Sequence, residues 1–264
     1  MGLAGRRARA YAAADSAYRL IIAGIRVLHQ GFWLGVLDHR HVDALAGIQY
    51  ARWPDYRSDD YNTSGLRDWE AEAIRRHFPD RGLLLLGAAG GGREIVALTR
   101  LGYRVEAFDC SEALVDYCRS ALPRLGVTAQ VHLAGPGEVP EGLGRYAGVI
   151  VGWGGYMHIA GRARRVAFLR ALRRHVDAGA PLLLSFFTRS GPSRQRDWAY
   201  WIARTLRRLR RSRDEVQPGD TLDGTFDHHF ARDEIEEELA AGGFGLLEFS
   251  ATPYGHAVAR AVDP

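Results

Sequence analysis

The stretch Leu83-Leu84-Leu85-Leu86-Gly87-Ala88-Ala89-Gly90-Gly91-Gly92, followed after a short helical pattern by Tyr103-Arg104-Val105-Glu106-Ala107-Phe108-Asp109, decides how the rest of the chain is read. Four leucines are too few for a helix of their own and predict a buried strand. The glycines let the backbone turn sharply and approach a ligand with no Cβ in the way. Ile95, Val96, Leu98 and Leu101 then fall on one side of a helix. A second strand ends in Asp109, about twenty residues after the glycines. Strand, glycine turn, helix, strand, acid is the pattern of a nucleotide-type cofactor site, with the acid placed for the two hydroxyls of a ribose.

Working outward, strands and helices alternate. Residues 127–133, 147–151 and 181–187 read as further strands, with a helix over 162–176. Ser111 is positioned to cap a helix reaching about Leu122, before Pro123. A helix over 233–241, a strand over 244–249, the turn Thr252-Pro253-Tyr254-Gly255 and a strand over 256–262 close the pattern. The predicted fold is an α/β, Rossmann-like, mostly parallel seven-stranded sheet. Its last strand is antiparallel, because the turn before it is too short for a crossover. Residues 1–80 form an N-terminal helical region and 81–264 the sheet domain. An insertion over about 188–230 carries a helix, and 222–230 reads as an extended segment.

In the N-terminal region Ile21, Ile25, Leu28 and Phe32 make an apolar stripe at helical spacing, with Gly31 and Gly35 weakening the helix around them. Thr63 or Ser64 is placed to cap the helix that follows. The leader carries Arg26, His29 and Gln30, so it lacks the clean apolar core of a signal peptide and is too polar to span a bilayer. It reads as a helix packed on its own protein, with membrane-surface contact the alternative. In the insertion Trp198, Trp201, Ile202, Thr205, Leu206 and Leu209 share a helical face. That face is expected to pack on the domain or on a second subunit, making a homodimer possible.

All 35 basic residues other than histidine are arginine, which excludes a catalytic lysine and fits a GC-rich bacterial genome. Cys110 and Cys118 lie on one predicted helix, are not expected to pair, and fit a reducing, cytoplasmic setting. No Cys/His cluster has zinc-site spacing, so no metal is expected. The net charge is +4. Residues 189–213 hold nine arginines against one acid, a local +8, which leaves −4 elsewhere. A basic face around the cofactor site is therefore not expected, nor is a nucleic-acid partner.

Gly87, Ala89 and Gly92 satisfy a nicotinamide-type glycine pattern with one alanine, so the glycines alone leave a dehydrogenase open. Three features outside them turn the reading: about eighty residues precede the first strand, a glycine-aromatic turn (Gly152-Trp153-Gly154-Gly155-Tyr156-Met157-His158) follows the fourth, and the chain closes in a hairpin. Together these make the chain resemble the class I S-adenosylmethionine-dependent methyltransferases over residues 81–262. The resemblance implies S-adenosyl-L-methionine as cofactor. Gly87, Ala88, Ala89 and Gly91 would lie along its methionine and ribose, with Asp109 on the ribose hydroxyls and Cys110 beside the adenine. Gly137 and Glu138 would also border the adenine, and Gly152 and Trp153 the methionine. It further implies that the N-terminal region covers the substrate.

Two positions depart from the family pattern. Leu85 stands where many members carry an acid, and Gly135-Pro136-Gly137-Glu138 where many carry an aspartate. Arg93 and Glu94, opening the first helix, read as solvent-exposed. His158 follows a turn at the carboxyl end of a parallel strand, where it can act as a general base or merely cap a helix. Tyr61, Asn62, Tyr156 and His229 are the expected substrate-facing residues, with His228 the more exposed of the two adjacent histidines. The expected activity is methyl transfer to a small molecule, an O-methylation of a specialised metabolite. A nicotinamide-dependent reductase, a non-catalytic cofactor-binding protein and a nucleic-acid methyltransferase are the alternatives.

Overall fold

The computed structural model describes residues 3–189, 191 and 193–263. Met1, Gly2 and Pro264, and Ser190 and Pro192 within the insertion expected over 188–230, lie outside the described residues. In chain order the helices are α1 (Leu3–Val36), α2 (His39–Arg52), α3 (Asp59–Asn62), α4 (Asp68–His77), α5 (Arg93–Arg100), α6 (Glu112–Arg124), α7 (Arg162–Arg173), α8 (Arg194–Leu209) and α9 (Arg232–Ala241). The strands are β1 (Leu83–Gly87), β2 (Arg104–Asp109), β3 (Gln130–Leu133), β4 (Gly148–Val151), β5 (Pro181–Thr188), β6 (Asp220–Asp223), β7 (Thr225–Phe230), β8 (Phe244–Ser250) and β9 (Gly255–Ala261). The chain divides into two compact units, Met1–Asp38 with Gly191–Asp223, and His39–Ser190 with Gly224–Pro264.

The smaller unit is built on α1 and α8, which run side by side in the same direction. A Cβ at Gly31 would lie 2.8 Å from Cβ of Ile202, and one at Gly35 would lie 2.7 Å from Cβ of Leu206. The helix continues through both glycines, so they serve close packing and do not interrupt it as their helix propensity suggested. The last carbonyls of α1, which have no partner within the helix, are satisfied from α8. The Arg207 guanidinium donates to Leu34 O (2.9 Å) and Leu37 O, and Arg210 donates to Gly35 O (3.1 Å) and Val36 O. Ile202 and Leu206 are half-buried, but Trp198, Trp201 and Leu209 are exposed, so the expected packed stripe is only partly covered.

In the larger unit the strand order is β3-β2-β1-β4-β5-β9-β8. The first five are parallel neighbours, and β9 runs antiparallel to both β5 and β8. This is the seven-stranded arrangement expected, with the final strand reversed. The stretch expected only as extended contains two strands, and the second of these, β7, pairs in parallel with the tip of β5 through Phe187↔His229 and Thr188↔Phe230. Within the leucine run the faces alternate although every residue is apolar. Leu84 and Leu86 pack with Ile95, Val96 and Leu98 on one side, while Leu85 packs with Val149, Leu172 and Tyr156 on the other. All three leucines are fully buried, about 1.5–3 kcal/mol of stabilisation each, as expected of a central strand covered on both faces. Leu85 is therefore core, and a carboxylate at this position would have no polar surroundings. The carboxyl ends of β1, β2 and β4 open together at one edge of the sheet, where ligands of such sheets gather.

Candidate functional site

A cleft at this edge, lying wholly in the larger unit, is lined from β1, β2, the turn after β4, and α2 to α3. After β1 the chain makes a tight loop with Ala88 at φ 53° and Gly90 at φ 54°. A left-handed alanine costs energy, and here the turn brings Ala89 N to Phe108 O (3.2 Å) and Gly90 N to the Asp109 carboxylate. A Cβ on Gly90 would meet nothing within 4 Å. A Cβ on Gly91 would sit 1.9 Å from Tyr56 O and against the Asn62 amide. Gly90 thus leaves room for a ligand, whereas Gly91 is required by the protein itself.

Asp109, at the end of β2, accepts from Gly90 N (2.8 Å) through Oδ2 and from Ser111 N (2.8 Å) through Oδ1. Ser111 caps α6 through its backbone, not its hydroxyl as expected, and α6 runs past Pro123 to Arg124. A carboxylate can accept more bonds than these, and Asp109 lines the cleft. Burial raises the Asp109 pKa above the ordinary aspartate value, only partly offset by those amides. This is a desolvated carboxylate with spare acceptor capacity, suited to a pair of vicinal hydroxyls.

Arg93 and Glu94 are not exposed as the sequence suggested; they are 3% and 6% accessible. The Arg93 guanidinium donates to Glu70 (2.7 Å twice), to Glu94 (2.6 Å) and to Gly65 O (2.8 Å). Glu70 also accepts from Arg67 N (2.7 Å), opening α4 in place of the expected Thr63 or Ser64 cap. Ser58 instead caps α3, its hydroxyl accepting from Tyr61 N (3.1 Å). One cation between two buried carboxylates leaves a net negative charge, and burial raises the Glu94 pKa despite Arg93. Glu94 lines the cleft beside Trp153 N, 3.4 Å from its Oε1. Fully buried Asn62 donates from Nδ2 to Tyr56 O (3.0 Å) and Ser58 O (2.8 Å), while its Oδ1 has no hydrogen-bond partner among the described residues. Asn62 Oδ1 and Glu94 are thus two acceptors near one end of the cleft, a pairing suited to an ammonium group.

At the other end, His158 closes the 3₁₀ turn Gly155–His158 after β4. Its Nδ1 lies 2.8 Å from Phe226 O and 3.1 Å from Asp227 Oδ1. Both partners are acceptors, so Nδ1 carries the hydrogen and Nε2 keeps its lone pair. Tyr50 meets the imidazole edge-on at 5.9 Å between ring centres, and the aromatic wall continues through Tyr56, Trp53 and Tyr61. Burial pushes the Tyr56 phenol up to about 12 and raises Tyr50 well above its ordinary value. Both are therefore neutral hydrogen-bond donors at physiological pH.

Of the residues proposed from sequence, Ala88, Ala89, Gly91, Asp109, Cys110, Gly137, Trp153, His158, Tyr61 and Asn62 line this cleft. Gly87 and Gly152 stand just behind it, tied by the bond from Gly152 N to Gly87 O (2.8 Å), and Glu138 is outside the lining. Tyr156 does not face substrate. It is fully buried, stacks on Phe230 and donates to Glu238 Oε2 at 2.6 Å. His229 lies against Phe187, outside the lining, and His228 is buried at 1% exposure, the reverse of the expected order. Sequence reasoning missed Asp227 and Glu94 as cleft residues, and weighed Tyr50 only as one of several aromatics of the covering region. A histidine-bearing strand starting Thr225-Phe226-Asp227 is the one local signal that pointed toward Asp227.

No protein-family model matches the sequence, and no curated protein is similar to it in sequence. Solved structures are similar in fold. The 1,6-didemethyltoxoflavin N1-methyltransferase of Burkholderia thailandensis is 18% identical with a TM-score of 0.62, the match covering 86% of this chain and 92% of that one. The sugar N-methyltransferase KedS8 from Streptoalloteichus is 15% identical with a TM-score of 0.56, covering 79% and 91%. A methyltransferase from Methanosarcina mazei is 15% identical with a TM-score of 0.56, covering 76% and 100%. The chain has the fold shared by these S-adenosylmethionine-dependent methyltransferases.

Proposed function

We propose that the protein is an S-adenosylmethionine-dependent methyltransferase that acts on a hydroxyl of a small molecule. The observation that carries the reading is the pairing, in one cleft, of a glycine-floored Asp109 site with a histidine whose Nε2 is free to accept a proton. The residues present fit the cofactor. Asp109 takes the ribose hydroxyls, the Gly90 side of the loop admits the backbone-hugging part, and Cys110 and Gly137 border the base. Asn62 Oδ1 and Glu94 take the ammonium of the methionine end, replacing the acid absent at Leu85.

When bound, the cofactor supplies an electrophilic methyl on a sulfonium that is already a good leaving group. The protein therefore needs mainly to align, to exclude water and to remove a proton. The aromatic wall from Tyr50 to Tyr61 excludes water and holds a flat or apolar acceptor. Nε2 of His158 takes the proton from the acceptor hydroxyl as the oxygen–carbon bond forms. The imidazolium that results is stabilised by Asp227, while Phe226 O holds Nδ1 and leaves Nε2 to take the proton.

Calorimetry with S-adenosylhomocysteine and with NADH tests the cofactor, and transfer of a labelled methyl group to a panel of phenols, alcohols and amines tests the acceptor. Binding of S-adenosylhomocysteine with label on oxygen is expected. Binding of NADH with none of S-adenosylhomocysteine would overturn the reading. Label on amines alone would favour N-methylation, the chemistry named for two of the similar structures.

A further inference from the structure

The smaller unit carries two exposed stripes that share a border. On α1, Ile21, Ile25, Leu28 and Phe32 recur at four, three and four residues and are 61%, 56%, 61% and 47% exposed. On α8, Arg194, Trp198, Trp201, Thr205 and Arg208 recur at the same spacing and are all exposed. Each set lies on one line along its helix. The two lines flank a shared apolar groove between the helices, reached by Leu28, Phe32, Trp198 and Trp201. Arg204 lies against the Trp201 ring, 5.2 Å from its centre, so its charge stays at the edge of the apolar strip.

Charge is also unevenly divided between the two units. The smaller unit holds thirteen arginines against seven acids, a net +6, so the remainder of the chain carries −2. A face of this kind has several conceivable covers. A second copy would bring +6 against +6, and the like charge opposes it. A nucleic acid would satisfy the arginines but leave the Ile21, Ile25 and Leu28 stripe in water. A surface both anionic and able to accept aliphatic and indole side chains at shallow depth satisfies both halves at once. That is the combination an anionic phospholipid bilayer presents to a basic amphipathic helix pair. Tryptophan favours the headgroup boundary, and long arginine stems reach from it to the phosphates.

We infer that the α1–α8 face is a docking surface for an anionic phospholipid membrane, lying on the bilayer and not crossing it. No single helix among the described residues is long and apolar enough to cross one, and Gly5–Val36 with His39–Tyr50 pass only when taken as a bent pair, by length and composition alone.

The test uses the whole protein and vesicles of phosphatidylcholine, either alone or with one-third phosphatidylglycerol, at low salt. Co-sedimentation with the anionic vesicles is expected, at least about tenfold stronger than with neutral ones and lost at high salt. Phospholipid with brominated acyl chains should quench part of the tryptophan emission, which needs no variant. Trp198→Ser with Trp201→Ser should abolish most of the quenching and weaken sedimentation about tenfold. Arg194→Gln and Arg208→Gln should each weaken it about fivefold, with circular dichroism unchanged. Equal binding to both vesicle types, or anionic binding with no quenching, would overturn the inference. So would a dimer in light scattering that Trp198→Ser with Trp201→Ser dissociates, which would make this face a subunit interface.

Discussion

At one end of the cleft most of the ligand-facing groups come from a single run, from Ala88 to Cys110, with Asn62 added from α3. At the other, Tyr50, His158 and Asp227 meet across sequence gaps of 108 and 69 residues. The first end works mainly through backbone: a left-handed loop, amides, and one carboxylate held by two of them. The second works through side chains held by other side chains. Backbone that already touches backbone leaves no room for an added atom. A side-chain network fails when an atom is removed. The two ends should therefore answer in opposite ways to mutation, one to enlargement and the other to truncation.

The largest effect is expected from Gly91→Ala. Its Cβ would fall 1.9 Å from a backbone carbonyl, Tyr56 O, which no rotamer change can relieve. Overpacking of this kind costs about 1–3 kcal/mol or more, and here it also moves the floor of the site. A lowered melting temperature and no measurable S-adenosylhomocysteine binding in calorimetry are expected. Normal binding by this variant would break the contrast. Truncation at the other end, His158→Ala, should lower kcat by roughly 10²–10⁴ while calorimetry shows cofactor affinity intact.

Asp109→Ala should do the reverse of His158→Ala. It removes two charge-assisted hydrogen bonds of about 1.5–3 kcal/mol each, so the dissociation constant for S-adenosylhomocysteine should rise about a hundredfold or more. Turnover at saturating cofactor should change little. If both substitutions moved kcat and affinity together, the two ends would be one cooperative site. Asp227→Asn should be milder, about tenfold in kcat. Phe226 O still accepts from Nδ1 of His158 at 2.8 Å, so the ring keeps its tautomer and loses only the carboxylate's stabilisation of the imidazolium. A loss as large as that of His158→Ala would mean that Asp227 alone orients the ring.

The same contrast explains what was legible in the sequence. The cradle was readable because its parts lie next to one another and each has a type-specific reason, glycine for the turn and an acid after the second strand. The sheet order followed from the alternation of strands and helices and from the short turn before β9. Arg93 and Glu94 were misread because charged residues opening a helix are ordinarily solvated. Their burial depends on Glu70, more than twenty residues away. Tyr156 was misread because it sits in the same turn as His158, and only the three-dimensional structure reveals Glu238 waiting for its hydroxyl. Asp227 was unreadable as a partner of His158 because nothing local in a strand of alternating residues says which side chain it meets.

The smallest expected effect separates the histidine from the phenols around it. Tyr50 and Tyr56 border the same space as His158, and an ionised phenol there would be an alternative base. Burial in the aromatic wall pushes Tyr56 up to about 12, and nearby Tyr61 and Glu94 push in the same direction. Tyr50 is raised well above its ordinary value, first by burial and then by the negative charge of Asp109. A raised phenol pKa means that the neutral form persists as pH rises, so neither tyrosine becomes a base below about pH 10. The profile of kcat against pH should therefore stay level on its alkaline side to about pH 10. Tyr56→Phe should leave that shape unchanged while lowering kcat about two- to fivefold, the worth of one hydrogen bond. A rise in rate between pH 8 and 10 that disappears in Tyr56→Phe would give the proton to the phenol instead. The histidine end would then resemble the cradle after all, with its key group supplied by the segment that packs against Gly91.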